Sequence, residues 1–562
     1  MQELKEAIKN AAKELFGVDV EPELTRPEEQ FGDYTTNVAM QLAPMLRSEQ
    51  AGQLNKKPRE IAEQLAQHVK GPSFHKVEVA DPGFINIWLS NDYLLKVTQS
   101  ALKKDFGENN LFKDQEIVLE HTDPNPFKEF HIGHAYSNTI GVAIGKLLAN
   151  AGADVHQVSY HGDVGLHIAM AVWAIEKEVG HQKISKDELS KKTGKSDLGK
   201  YYVAGAKAYR EDNNVKKEIE DVNKHLYSAN DEILNSIYKA GRELTFDIFE
   251  KIYRRLNSKF EKQYFESEVA EAGMIIVRKN IGKVFAESDG AIVYKGEKAG
   301  LHTRVFITKQ DIPTYEAKEV GLAFAKQKDY PNAHRFIVIT ANEIDDYFRV
   351  LVAAISEIDR NLADKIKHLS HGVVRAVEGK MSSRTGNIKL FETLELNIKE
   401  AIWNLYGPDK EATEIVQGAI KYEFLKHRLG QDFIFDVDES VSIEGNSGPY
   451  LQYSYARAIS IIRKSSNKIG REYNTELNSS ERSLVRKISE YPEIVERATK
   501  EMLPSHVATY LYELAQVFNR FYEKNRVIGD AKEIDRLTLV FAYINVLNKG
   551  LGLLNISAPE RM

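Results

Sequence analysis

Residues 127–141, FKEFHIGHAYSNTIG, limit what this chain can become more than any other stretch. They lie between two apolar runs with strand texture, EIVLEHT (116–122) and ADVHQVSY (153–160). The intervening HIGHAYSNTIGVAIGKLLANAG (131–152) has the small and apolar residues of a helix packed on both sides. Strand, helix and strand at this spacing predict a βαβ unit, hence a parallel sheet that must be covered on both faces.

Three readings compete for His131 and His134. A metal site needs a third ligand and a general base, as where two helical histidines four apart flank an acid. Here the spacing is three, with no acid between them. Burial as ordinary core histidines is a second reading. The third suits the setting best: a strand end opening into a helix N-terminus gathers backbone N–H groups and a positive dipole end, where phosphate binds in α/β folds. Gly133 would then let a ligand approach the backbone closely, and imidazole N–H donors would follow charge developing at phosphorus.

At 562 residues the chain exceeds one core and predicts three or four domains. Residues 1–112 read as a small α+β domain that ends in a hairpin, VEVADPGFINIWLS. Residues 113–390 read as a Rossmann-type parallel-sheet domain, with a Lys/Glu-rich helical insertion at about 175–285. Residues 391–562 read as all-α. The absence of cysteine excludes disulfides and thiolate zinc sites. A net charge of −6 argues against indiscriminate coating of nucleic acid while leaving room for RNA bound through local basic patches. The amphipathic N-terminus MQELKEAIKNAAKELF lacks the apolar core of a signal peptide, which predicts a cytoplasmic protein with no membrane span.

A second motif strengthens the phosphate reading. AVEGKMSSRTGN (376–387) combines Gly and Ser with Lys380 and Arg384, a loop able to bring a cation over a leaving pyrophosphate. With both motifs in view the chain resembles the class I aminoacyl-tRNA synthetases, whose signatures read HIGH and KMSKS. More narrowly it resembles the arginyl-tRNA synthetases along essentially its whole length, through VLEHTDPNPFKEFHIGH, YHGDVGLH, GNSGPYLQYSYARAISIIRK and the closing PERM.

That resemblance implies activation of L-arginine with Mg-ATP, Mg²⁺ entering with the nucleotide and no metal held by the protein, followed by transfer to the terminal adenosine of tRNA(Arg) by a monomer. It implies catalytic roles for Lys128, His131, His134 and Lys380, and ATP contacts from Gly133, Asp163, Val374 and Met381. Glu120, Asn125, Tyr315 and Glu319 would hold arginine, carboxylates being the natural partners of a planar guanidinium. Tyr315 and Glu319 share one face if DIPTYEAKEVGLA is helical. Arg457, Tyr510 and Met562 would touch the tRNA near its anticodon, and residues 1–112 its elbow. Three departures stand out: Glu319 replaces the family's Asp, Val164 its Trp, and Ser383 the second lysine of KMSKS. Lys128, three residues before His131, fills the place that arginyl enzymes lacking that lysine rely on.

Overall fold

The structure, a computed structural model, describes residues 2–47, 56–193, 198–376, 390–407, 412–466, 473 and 476–562. The chain opens with the helix Gln2–Phe16, whose Leu4, Ile8, Ala11 and Ala12 recur at helical spacing and are all buried. This helix belongs to a layer that includes a three-stranded antiparallel sheet of β1 (Tyr34–Thr36), β2 (Phe74–Ala80) and β3 (Phe84–Leu89), ordered β1-β3-β2. Ile85, Ile87 and Leu89 alternate along β3 and are at most 2% exposed, as a half-buried strand requires.

β4 (Glu116–Glu120), β5 (Asp154–His161) and β6 (Lys262–Phe265) begin the central layer. The helix Ile132–Asn150 makes the crossover from β4 to β5. β7 (Phe285–Ser288), β8 (Ala291–Tyr294) and β9 (Arg304–Ile307) then form a separate antiparallel sheet, before β10 (Arg335–Ala341) and β11 (Ile366–His371) return to the central one. The central sheet is parallel throughout, ordered β11-β10-β4-β5-β6. Ile117, Val118 and Leu119 are consecutive and all buried, the mark of a strand covered on both faces. Strand order reverses between β4 and β10, so a ligand crevice is expected beyond their carboxyl ends.

The helical insertion ends earlier than its Lys/Glu texture predicts. Its helices, from Leu166–Val179 to Glu232–Arg255, share a core that includes Ile168, Val172, Leu189, Ile219 and Ile237. The polar tetrad KQYF then becomes β6, an edge strand of the central sheet inside the range read as insertion. Four residues with one buried side chain are too few to show a period of two. β8 and β9, within GAIVYKG and TRVFITK, lie in the antiparallel β7–β9 sheet and not in the parallel one.

After residue 390 the chain is mostly helical, from Phe391–Tyr406 to Glu533–Leu553. One short strand, β13 (Phe433–Phe435), reaches back to pair in parallel with β12 (Val374–Ala376). The first and last parts of the chain also meet directly. Asp33, fully buried, accepts from Arg482 Nη2 at 2.7 Å and Arg486 Nε at 3.1 Å, and Arg26 pairs with Glu493 at 2.9 Å. Among the described residues no helix is long and apolar enough to cross a membrane.

Two glycines bring together the helices Glu266–Lys279 and Tyr315–Asp329. A Cβ on Gly273 would stand 1.9 Å from the Ala317 carbonyl oxygen, and one on Gly321 2.2 Å from that of Val269. The two backbones therefore touch, which sets Glu266 2.7 Å from Lys318. Gly321→Ala is expected to cost about 1–3 kcal/mol by forcing this crossing apart. Gly552→Ala, on a helix with nothing within 4 Å, should leave stability unchanged or raised. Urea denaturation midpoints of the two variants check the contrast.

Candidate active site

The segment between β4 and the helix Ile132–Asn150 is held under strain. Thr122, Asp123 and Phe127 have φ of 83°, 44° and 61°, a region that non-glycine residues seldom enter. The surroundings impose it. Asp123 accepts from the Tyr160 backbone N–H at 2.7 Å and from Ser159 Oγ at 3.1 Å. Phe127 is buried with its N–H on Thr245 Oγ1, and Gly241 supplies the space for its ring. Phe130 packs against Phe249, Tyr253 and Phe391, so both the insertion and the first C-terminal helix fix the corner.

At that corner the histidines bind each other's backbone. His131 is the N-cap: its Nδ1 accepts from the His134 N–H, and His134 Nδ1 accepts from the His131 N–H, both at 3.3 Å. The rings stack with centroids 3.5 Å apart. With each Nδ1 accepting, each ring carries its proton on Nε2. Burial, and then Lys128, push the His131 pKa down to about 4. Burial, His131, Lys128 and His161 hold His134 well below its ordinary value. Both rings are therefore neutral donors at pH 7. Gly133 serves this packing first, since a Cβ there would lie 3.0 Å from His131 Nδ1.

The corner opens on a cavity of about 480 Å³ whose walls include Lys128, His131, Gly133, Tyr136, His371 and Val374. Burial lowers the Lys128 pKa, opposed by Glu266, and its ammonium lies 5.0 Å over the Tyr202 ring. Lys380 and Met381 lie outside the described residues.

Acids gather around the end of β4. Glu120, 2% exposed, is ion-paired with Lys326 at 2.7 Å, a contact the sequence reading missed. Glu319, on the same helix as Lys326, has its pKa raised well above the ordinary range by burial and then by Glu120, with Lys326 opposing. Asp123 is raised likewise by burial and Glu120. The Tyr160 and Tyr347 hydroxyls are buried with no hydrogen-bond partner among the described residues, and both lie close enough to feel the Glu319 charge. Tyr315 is the first residue of the helix Tyr315–Asp329, 59% exposed, with the Lys318 ammonium 5.3 Å from its ring. Asn125 Oδ1 accepts from the Gly162 N–H at 2.8 Å, so this side chain also pins the β5 loop.

Two expected roles need correction. Asp163 is fully buried and does not line the cavity; its carboxylate accepts from Tyr238 Oη, Ser267 N and Ser267 Oγ at 2.7–2.9 Å. With its oxygens so occupied it fastens the insertion to the sheet and has nothing left for a nucleotide. Tyr510 is 1% exposed, packs against Tyr491 and donates to the Lys487 carbonyl, so it cannot stack on a base. Arg457 lies half-buried 4.6 Å over Tyr522, and Met562 is 41% exposed. One turn before Arg457, Tyr453 is 40% exposed, a surface aromatic that sequence spacing alone could not separate from its buried neighbours Tyr450 and Tyr455.

Three family models match the chain in series: the arginyl tRNA synthetase N terminal domain at residues 2–89, the catalytic domain of tRNA synthetases class I (R) at 96–437, and the DALR anticodon binding domain at 451–562. An arginine–tRNA ligase of Flavobacterium psychrophilum is 28% identical across 100% of this chain and 99% of its own length. One from Streptococcus thermophilus is 30% identical across 91% and 92%. The arginyl-tRNA synthetase structure from Thermus thermophilus, 26% identical, superposes with a TM-score of 0.77 over 100% of both chains. That from Plasmodium falciparum, 22% identical, shares the fold with a TM-score of 0.81 over 100% of this chain and 99% of its own.

The histidines make the fold sensitive to acid. His121 and His161, fully buried, have pKa values of about 4, lowered chiefly by burial, against about 6.5 in an unfolded chain. Depressed values favour the folded state above the unfolded pKa and lose that contribution as pH falls toward the folded one. The melting temperature is therefore expected to hold down to about pH 6.5 and to fall progressively between about 6.5 and 4. Calorimetry across that range checks it.

Proposed function

Because the chain belongs to the class I arginyl-tRNA synthetases and ligates arginine to tRNA(Arg) using ATP, we propose that its two clusters divide the reaction between them. The histidine corner takes the nucleotide and the acids around β4 take the amino acid. The observation that carries this reading is the pair of stacked histidines, neutral and with Nε2–H as the remaining donor, of which His131 lines the cavity and His134 stacks behind it. Donors that stay uncharged and need no reorganisation favour the charge that builds on the α-phosphate as the arginine carboxylate attacks it. Lys128 stands beside them for the leaving pyrophosphate. The Mg²⁺ that accompanies ATP would ride on its phosphates.

Glu319 is the acceptor best placed to gain from arginine. Burial and Glu120 raise the pKa of its carboxyl well above the ordinary range, and an arriving guanidinium opposes that shift. Asn125 and Tyr315 flank the same end, and Glu120 reaches the substrate with one oxygen already on Lys326. Arginyl-adenylate then passes to the terminal adenosine of the tRNA. On the helix Gly448–Lys464 we assign Tyr453 and Arg457 to the anticodon loop, one to stack and one to pair, with Met562 nearby. Residues 1–112 serve the tRNA elbow, and the helical insertion braces the corner rather than hydrolysing mischarged product. One chain carries all these parts, so a cytoplasmic monomer is the working unit.

ATP–pyrophosphate exchange, run with each amino acid with and without tRNA, tests the assignment. Exchange specific to arginine is expected; exchange with another amino acid, or none, overturns it. Glu319→Gln is expected to raise the arginine KM by roughly 10–100-fold through loss of a charge-assisted hydrogen bond, with the ATP KM little changed. Steady-state kinetics on both substrates would measure this.

A further inference from the structure

Lys326 has no part in the chemistry described so far, yet it lies at its centre. It follows Glu319 by seven residues on one helix, so the two share a face. Its Nζ stands 2.7 Å from Glu120 Oε2, with the two side chains 5% and 2% exposed. Around it the wall is apolar: Glu319 and Lys326 close a void of about 10 Å³ with Phe336, Val338, Phe348 and Leu351. A buried ammonium in such a place is costly unless it is paired.

We propose that Lys326 is a positioning residue of the arginine site: a resident cation that holds the Glu120 carboxylate in place at the end of β4 and leaves Glu319, on its own helix, to meet the cation that arginine brings. The proposal rests on the assignment of these acids to arginine. Three carboxyls lie close enough to act on one another: Glu120 from β4, Asp123 from the segment after it, and Glu319 from the helix of Lys326. Glu266, from the adjoining helix, is paired with Lys318. The phenols of Tyr160 on β5, Tyr264 on β6 and Tyr347 on the helix Asp345–Ile358 complete the surroundings. Lys326 opposes the upward shift of both Asp123 and Glu319. Without it, three carboxyls would face the single cation of the substrate, and Glu120 would lose the partner that orients it.

The test is the pH dependence of arginine affinity, by titration calorimetry on the whole protein. In the unmodified chain affinity should rise with pH and level off once Glu319 no longer holds its proton. In K326M the levelling point should move up by about one unit or more and the arginine Kd near pH 7 should rise at least about tenfold. Affinities for ATP and tRNA should stay within about twofold, and K326R should keep the original levelling point. K326Q, whose amide can still donate to Glu120, carries the same expectation as K326M should that variant fail to fold. An unmoved levelling point in the neutral variant that folds, with only a general loss of active protein, overturns the role of Lys326 alone. No arginine binding by the unmodified protein would bring down the functional reading and this one with it.

Discussion

Two imidazoles that cap one helix with each other's backbone set the electrostatics of the corner between β4 and the helix Ile132–Asn150. Each ring spends Nδ1 on an N–H of the first turn, and that single commitment decides where its proton resides and that it stays uncharged. Much else depends on keeping the pair in place. The left-handed residues between β4 and the helix, the Phe130 aromatic nest and the glycine beneath His131 all serve to hold two rings in contact at the end of the central strand.

The acid cluster that we assign to the amino acid uses the opposite device. Where the corner is fixed by satisfied hydrogen bonds, the acid cluster is left electrically incomplete: three carboxylates in a buried setting with one ammonium among them. A low-dielectric site with a charge deficit admits a compensating cation more readily than a neutral side chain, whose own polar groups and those of the site would go unpaired. The replacement of Asp by Glu at 319 fits this picture. The longer arm reaches from a helix whose approach is set by two glycines rather than by the acid itself.

What the sequence revealed was local. The βαβ unit around HIGH, the amphipathic first helix and the β2–β3 hairpin are each written within one short continuous stretch, at periods that backbone geometry enforces. What it hid is tertiary. Nothing near Lys326 announces a partner 206 residues earlier. The tetrad that becomes β6 is too short to show alternation. Asp163 illustrates the reverse error: an aspartate in a glycine-flanked loop looks the same whether it faces a ligand or fastens two helices, and only its donors distinguish the cases. Tyr510 and Tyr453 differ only in which side of a helix bundle they face.

The contact of Asp33 with Arg482 and Arg486 spans 449 and 453 positions of sequence. Because a ribosome releases the chain from its first residue onward, the opening module emerges with that carboxylate lacking both guanidinium partners. Its seat on the helix Ser479–Ser489 is made 449 positions later, so late-synthesised helices complete an earlier-synthesised sheet. Assembly of this molecule thus closes from its two ends, and a transcript cut short before that helix would leave the N-terminal unit with an unmatched charge on the surface meant to be covered.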